Sequence, residues 1–331
     1  MGVKVSFVIP CGNRYKLLLE TLDSIAALDY ACEDIEVLVA AQADDKAVAA
    51  MKFSETTAPL PKLTVMQVDP TGTISRSRNI GADATSGDYL AFIDADVALS
   101  ENWLNEMLAT LDRGPHILAA AAQRCDNNAP VTERVRTAIV RITKDSLVGS
   151  TTGQNLLVRR ADFERVGGFP EQLITCEDVY FTQALSQHGT LMLTSAADFK
   201  HLGEDMTFTQ LFKKEIWRGS SNLAALEGRK IPLREYPSYI VPFFQLLLAC
   251  VFVVSLLTAK WLLLGAAVLL SLAFPLAYSY RVLTQSDTAV SMFDALRFYY
   301  VYFLARAIGM LKGIGEMIGK FFAGKTKPES V

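Results

Sequence analysis

Cysteine is scarce in this chain of 331 residues. The five present, at positions 11, 32, 125, 176 and 250, show neither a pairing framework nor metal-ligand spacing. That excludes a disulfide-stapled scaffold and a cysteine-rich zinc centre, and it fits a reducing compartment. Charge of one sign is missing too. With 32 basic and 35 acidic residues the net is −3, so no polyanion-binding surface and no nucleic-acid partner is expected. The first ten residues, Met1 to Pro10, lack the charged-then-apolar layout of a signal peptide and begin directly with a strand, so the expectation is a cytosolic soluble part. No internal repeat and no low-complexity tract occurs. One further absence is local: no charged residue lies between Tyr239 and Thr258, nor between Trp261 and Tyr280.

What is present reads as alternating strands and helices. Val3–Ile9, Ile35–Val39, Lys62–Val68, Tyr89–Ile93 and Ile117–Ala122 are short apolar runs of strand type. Between them, Tyr15–Leu28 carries Leu18, Leu22 and Ile25 at helical spacing. Asp44–Phe53 and the later part of Gly72–Ala84 also read as helix, as does the segment with Trp103, Met107 and Leu111. This rhythm predicts an α/β fold with a doubly wound parallel sheet.

Each of the two uncharged stretches in the tail is about long enough to cross a bilayer, and only Ala259 and Lys260 separate them. Together they predict a transmembrane hairpin over 236–282. Arg229, Lys230 and Arg234 precede it and Arg281 follows it, against a single Lys260 in the turn. The positive-inside rule therefore puts both ends in the cytosol. The alternative is a pair of core helices in a soluble protein. In Met310–Phe321, Leu311, Ile314, Met317, Ile318 and Phe321 share one face, while Lys312, Glu316 and Lys320 share the other. That pattern fits an amphipathic helix in the membrane interface; a helix packed on the soluble part is the other reading.

The chemistry concentrates where strands end. Tyr89-Leu-Ala-Phe-Ile-Asp94-Ala-Asp96 is an apolar strand ending in two carboxylates, and ligands of open α/β sheets bind at the carboxyl ends of strands. Carboxylates left there unpaired are costly, and a divalent cation carrying a diphosphate would satisfy both. Alternatively, Asp96 caps the helix that starts near Trp103. Glu177-Asp178 opens another helical segment. An adjacent pair there points its two side chains in different directions, so one carboxylate can take a proton from a substrate while the other orients it or serves the helix dipole.

Six motifs in order give the chain a family resemblance. Val5-Ser-Phe-Val-Ile-Pro10-Cys-Gly-Asn13-Arg14 resembles the first strand and nucleotide-binding turn of the family-2 glycosyltransferases, inverting enzymes with the GT-A fold. Arg76-Ser-Arg78-Asn79-Ile-Gly81 resembles the segment closing over the nucleotide, and Asp94-Ala-Asp96 the metal and nucleotide motif. Gly153-Gln-Asn155 followed by Gly167-Gly168-Phe169 resembles the acceptor-side loop, Glu177-Asp178 the catalytic motif, and His201 a late histidine near the metal. The resemblance spans roughly residues 3 to 222. It implies donor contacts from Pro10, Asn13, Arg14, Arg78, Asp94 and Asp96, a Mn2+ or Mg2+ ion on Asp96, Asp94 and His201, and Asp178 as general base beside Glu177. It further implies an acceptor site with Gly153, Asn155, Trp217 and Arg218. Left open are an ordinary salt bridge for Arg78, a structural role for His201 and an interfacial anchor for Trp217 and Arg218.

Two departures qualify the resemblance. Many members carry acidic residues after the second strand that recognise uracil; here Ala40-Ala41-Gln42 follows, so a uridine donor rests on family habit, with Gln42 or Asp44 as substitutes. The Gln-x-x-Arg-Trp motif of processive synthases is replaced by Glu215-Ile-Trp217-Arg218, with Trp before Arg, which implies single additions. The expectation is thus a GT-A domain over 1–235, the hairpin over 236–282, and an interfacial helix with polar tail over 283–331. Such a protein would sit in the inner (plasma) membrane, multi-pass, with its catalytic domain facing the cytosol. It would move one sugar from a nucleotide-sugar donor to a lipid-linked saccharide acceptor, as a homo-oligomer or beside other glycan-assembly enzymes. A polyprenyl-phosphate monosaccharide synthase and a non-catalytic assembly subunit are the competing readings.

Overall fold

The computed structural model describes residues 4–12, 15–42, 61–140, 143–204, 206–222, 233, 236–285 and 290–325. Asn13, Arg14, Asp44, the helix expected over 44–53 and the basic residues before the hairpin lie outside these. The chain divides into two units, Met1–Cys125 with Val140–Glu204, and Asp126–Ile139 with Asp205–Val331.

In the first unit, β1 (Val5–Cys11) is buried along its whole length, which explains why it reads as a continuous apolar run rather than an alternating one. It pairs in parallel with β2 (Ile35–Ala41) on one side and β4 (Tyr89–Ile93) on the other, and β2 pairs in parallel with β3 (Lys62–Gln67). Helix α1 (Tyr15–Ala26) buries Leu18, Leu22 and Ile25 against this sheet, and α2 (Ile74–Asp83) crosses so close that a Cβ on Gly81 would strike Val8. The expected parallel sheet therefore describes β3-β2-β1-β4.

Beyond β4 the sheet is mixed, which departs from that expectation. After β5 (Val97–Leu99) and α3 (Trp103–Asp112), β6 (His116–Arg124) leads on to β7 (Ser146–Val148), β8 (Asn155–Arg159) and β9 (Thr190–His201). The order is β3-β2-β1-β4-β8-β6-β9-β5, with β7 also on β9. Strand β8 runs antiparallel to both β4 and β6. A doubly buried apolar run such as Leu156-Leu157-Val158 reads the same in either direction, so strand polarity was not written in the pattern. Between β8 and β9 lie α5 (Arg160–Arg165) and α6 (Glu177–Ser186).

The second unit is helical. It holds most of α4 (Val131–Val140), then α7 (Phe208–Asn222), α8 (Tyr236–Leu257), α9 (Trp261–Gln285) and α10 (Met292–Lys325). Among the described residues two helices, α8 over its 22 residues and α9 over the 24 residues Trp261–Thr284, are long and apolar enough to cross a membrane. Leu247, Leu257, Leu262 and Leu269 stand more than half exposed along them, as a pair of core helices would not allow. The turn between them closes with Ala259 at a φ of 52°, a left-handed helix stop, while Lys260 N–H donates to Ser255 O. The short amphipathic segment expected from Met310 is part of one continuous α10. Upstream its Phe298, Tyr299 and Phe303 are buried with Val135 and Leu211; downstream Leu311, Met317 and Ile318 are exposed.

Helices α7 and α10 nearly touch backbone to backbone: a Cβ on Gly219 would strike Arg306 O, and one on Gly309 would strike Ile216 O. Their approach encloses Glu215, which has no exposed surface. Arg136 and Arg218 each reach its Oε1 at 2.8 Å, and Arg306 reaches its Oε2. Burial alone would raise this carboxyl, but Arg306, Arg136 and Arg218 outweigh it and hold it at about 2. A carboxyl held below its unfolded value stabilises the fold above pH ~4.5 and loses that contribution as pH falls through its folded pKa, a term of about 3 kcal/mol here. Glu215→Gln is expected to cost about 3 kcal/mol near neutrality, and the gap to the wild type should close between about pH 4.5 and pH 2. Thermal unfolding of the detergent-solubilised protein across that range checks it; equal stability at pH 7 would refute the role.

Candidate active site

The candidate site is built around a cation that no solvent reaches. Thr73 caps α2, its hydroxyl accepting from Arg76 N–H, and one turn on, Arg78 points inward with 1% of its surface exposed. Its guanidinium donates to Asp94 Oδ1 at 2.8 Å, Glu177 Oε1 at 3.0 Å and Gly153 O at 3.3 Å. It also lies over the Phe169 ring, 4.9 Å from the centroid. Of the roles weighed for Arg78, the observed contacts are with carboxylates, and they tie the end of β4, the loop before β8 and the start of α6 to one point.

Asn79, next in sequence, fastens a fourth segment. Its amide donates to Phe169 O and accepts from Phe169 N–H, both at 2.9 Å, as a strand neighbour would. Gly168 stands at a φ of 75°, and a Cβ there would collide with Asn79. The glycine is thus required by the close approach as well as by its left-handed backbone. Sequence reasoning placed Asn79 in the motif resembling the segment that closes over the nucleotide but gave it no role of its own; the signal available was its position between Arg78 and Gly81 on a helix too polar to be core.

Asp178 and Glu177 point apart, as their adjacency predicts. Glu177 is buried on Arg78, while Asp178 takes Gly153 N–H on Oδ2 at 2.9 Å and Val179 N–H on Oδ1 at 2.7 Å. Burial pushes both carboxyls up. For Glu177 the neighbouring Asp178 adds to the rise and Arg78 opposes it; for Asp178 the Gly153 N–H and Arg78 oppose it. Cys176, directly before the pair, sits at a φ of 63°, a turn that starts α6 abruptly and sets the two side chains.

Asp96 does not cap α3, whose first flanking residue is Asn102. It is buried at the start of β5, and the antiparallel pairing of β5 with β9 sets it beside His201. His201 Nε2 lies 3.3 Å from Asp96 Oδ2, and Nδ1 lies 2.6 Å from Glu204 Oε1. Glu204 was not singled out in the sequence; its signal is the His-x-x-Glu spacing. Among the described residues no three His, Cys, Asp or Glu side chains converge as a metal cage would, since Asp96, His201 and Glu204 are joined head to tail. The donor chemistry of a carboxylate oxygen beside an imidazole nitrogen, with the other nitrogen steadied by a carboxylate, does fit a cation that takes its remaining ligands from phosphates and water. Asp94 is not part of this pair, because Arg78 holds it.

Pro10 is buried in β1, at the level of Ala40 in β2. Gln42 donates from Nε2 to Gly72 O at 2.7 Å, so its amide ties the β2 end to the loop before α2. Asn155 is buried, its Oδ1 accepting from Trp103 Nε1–H and Ala121 N–H. Trp217 and Arg218 lie on α7 in the second unit, the first half-exposed and the second on Glu215.

Comparison with known proteins follows the geometry. The family model described as Glycosyl transferase family 2 matches residues 6–167. Glycosyltransferase AglE of Haloferax volcanii is 26% identical over 234 residues, which is 70% of this chain and 76% of that protein. Succinoglycan biosynthesis protein ExoM of Rhizobium meliloti is 34% identical over 101 residues, 30% of this chain and 32% of that protein. Among solved structures, the mannosyltransferase PcManGT from Pyrobaculum calidifontis, in complex with GDP-Man and Mn2+, shares the fold at a TM-score of 0.61 and 17% identity. That match covers 95% of this chain and 87% of that one. Residues 6–167 are therefore a glycosyl transferase family 2 domain, built on a GT-A type fold.

Proposed function

We propose that this glycosyltransferase moves a single sugar, with inversion, from a nucleotide diphosphate sugar to a hydroxyl of a membrane-held saccharide acceptor, in polysaccharide biosynthesis. The observation that carries the reading is the split of the Glu177–Asp178 pair: one carboxylate on the buried Arg78, the other on the Gly153 loop with its affinity for a proton raised. A general base works best with such a raised value. The acceptor oxygen attacks the anomeric carbon from the face opposite the diphosphate and passes its proton to Asp178. The bond from that carbon to the diphosphate oxygen breaks, and the diphosphate leaves with the electron pair. Arg78 keeps Asp94 and Glu177 in place. A Mn2+ or Mg2+ ion held by Asp96 and His201 would neutralise charge on the departing diphosphate.

The donor in this proposal is a UDP-sugar, with guanosine, the base of the GDP-Man that PcManGT holds, as the second reading because the buried Ala40 and Ala41 stand at the end of β2. ExoM, by its name, acts in the biosynthesis of succinoglycan, and α8 and α9 would keep a lipid-linked acceptor within reach. The domain division at 235 and 282, the interfacial helix, the cytosol-facing orientation in the plasma membrane, and a homo-oligomer or a complex with other glycan-assembly enzymes belong to the same proposal. So does an acceptor contact from Trp217 and Arg218.

Asp178→Asn is expected to lower kcat by about 10²- to 10⁴-fold without changing nucleotide binding. Retention of full activity would favour a lipid-phosphate acceptor, whose oxygen needs no base. Asp96→Ala should abolish the rise in unfolding temperature that UDP or GDP gives with Mn2+; at a hundredfold excess over Kd that rise corresponds to about 2.7 kcal/mol.

Removing Arg78 strands two carboxylates. Arg78→Met should cost about 3–5 kcal/mol, and Arg78→Lys less, because an ammonium keeps the charge but lacks the fork. The pH dependence has a definite sign. Carboxyls raised above their unfolded values stabilise the fold when protonated and lose that contribution as pH rises through their folded values. The Arg78→Met deficit should therefore grow from pH 5 to pH 8 in thermal unfolding, and a deficit flat with pH would count against the assignment.

A further inference from the structure

A cavity of about 200 Å³ opens in the first unit beside the loop Thr151–Gln154. Asp178 through its carboxylate and Asp94 through its backbone N–H hold that loop. Gly153 N–H donates to Asp178, Gln154 O accepts from Asp94 N–H at 3.1 Å, and Thr151 N–H donates to the Thr182 hydroxyl on α6. One wall of the cavity is thus backbone whose position is set by the residues proposed to do the chemistry. Its other walls are of two kinds. Ala122, Leu193 and Phe199 are apolar, and Gln123, Thr152 and Gln154 offer neutral amides and a hydroxyl. None of the lining residues among those described is charged.

We infer that this cavity is the acceptor subsite and that it takes an uncharged sugar ring. The inference rests on the transferase reading above and names its second substrate class. Two acceptors compete for the place: a saccharide hydroxyl and a lipid phosphate. A phosphate entering these walls would lose its hydration without gaining a cation, a loss of several kcal/mol. The buried cation nearest in the bonding network, Arg78, is spanned by Asp94 and Glu177. A pyranose suits both kinds of wall. Its C–H face packs on Ala122, Leu193 and Phe199, and its hydroxyls exchange hydrogen bonds with Thr152, Gln154 and Gln123, which both donate and accept. The volume admits about one ring, so specificity would be read at the terminal sugar of the acceptor, with the remainder outside.

The test is saturation-transfer NMR on the full-length protein in nanodiscs, with UDP or GDP and Mn2+ present. The probes are a panel of methyl glycosides of neutral sugars and, separately, ethyl phosphate. A methyl glycoside should show transfer in the wild type. It should lose the signal in Ala122→Phe, which fills the cavity from a partly buried position, and bind about 5-fold more weakly in Thr152→Val, the worth of one hydrogen bond. A signal from ethyl phosphate that Ala122→Phe abolishes would overturn the inference. So would a glycoside signal that Ala122→Phe leaves intact, or no signal from any glycoside. The nucleotide-induced shift in unfolding temperature, measured on the same samples, reports separately on the transferase reading. Its absence in the wild type would sink that reading, while the glycoside result still decides what the cavity holds.

Discussion

The first unit depends on one buried guanidinium. Arg78 is nearly without exposed surface, yet it carries full charge, so its position is tenable only because Asp94, Glu177 and the Gly153 carbonyl surround it. Its partners come from segments far apart in the chain, at the end of β4, before β8 and at the start of α6. No one of these can move without uncovering the charge. A planar fork with several fixed donors can hold three acceptors at once, which a point charge on a flexible stem cannot.

The same knot explains motifs that look unrelated along the chain. Asn79 grips the Phe169 backbone, and Phe169 in turn lies under Arg78 and stacks on Phe181, 4.1 Å between ring centres. The glycines at 167 and 168 let the loop approach. The apolar side of that packing, Phe92, Phe163, Phe169 and Phe181, is a core cluster that also receives Leu156 and Val158 from β8. Polar knot and aromatic cluster are two faces of one arrangement: the rings exclude water, and exclusion of water is what makes the hydrogen bonds around Arg78 strong.

How much of this the sequence disclosed follows from what each signal encodes. Strands β1, β2 and β4 were legible because runs buried on both faces are apolar throughout, the edge strand β3 because its apolar residues alternate with polar ones, and the parallel order followed from the alternation with helices. The antiparallel β8 was not, since Leu156-Leu157-Val158 has no direction. Asp94, Asp96, Glu177 and Asp178 announced themselves as carboxylates at element ends. Their division of labour did not, because it depends on Arg78 choosing Asp94 and Glu177 over Asp96 and Asp178. Glu204 was missed, and Asn79 was quoted without a role, for a related reason: each acts on a partner brought close by the fold, His201 across a turn and Phe169 across ninety residues. Glu215 sat in a stretch read for Trp217 and Arg218, and only the close approach of α7 and α10, set by glycines, reveals why an acid is there.

Glu215 and Arg78 are opposite solutions to one electrostatic problem. In the second unit a single carboxylate is enclosed by Arg136, Arg218 and Arg306 and is held far below its ordinary value, so its stabilising term weakens in acid. In the first unit a single guanidinium faces Asp94, Glu177 and Asp178, and burial raises the last two, so their term weakens as pH rises. A knot built only for stability would match its charges, as the aromatic cluster beside it matches its shapes. The first unit instead sets three carboxyls against one buried guanidinium, with Asp178 fastened by backbone N–H groups rather than by a second arginine. Under the proposed mechanism the carboxyl left over is the one that takes the proton, and Asp178 is the one of the three that Arg78 does not bridge.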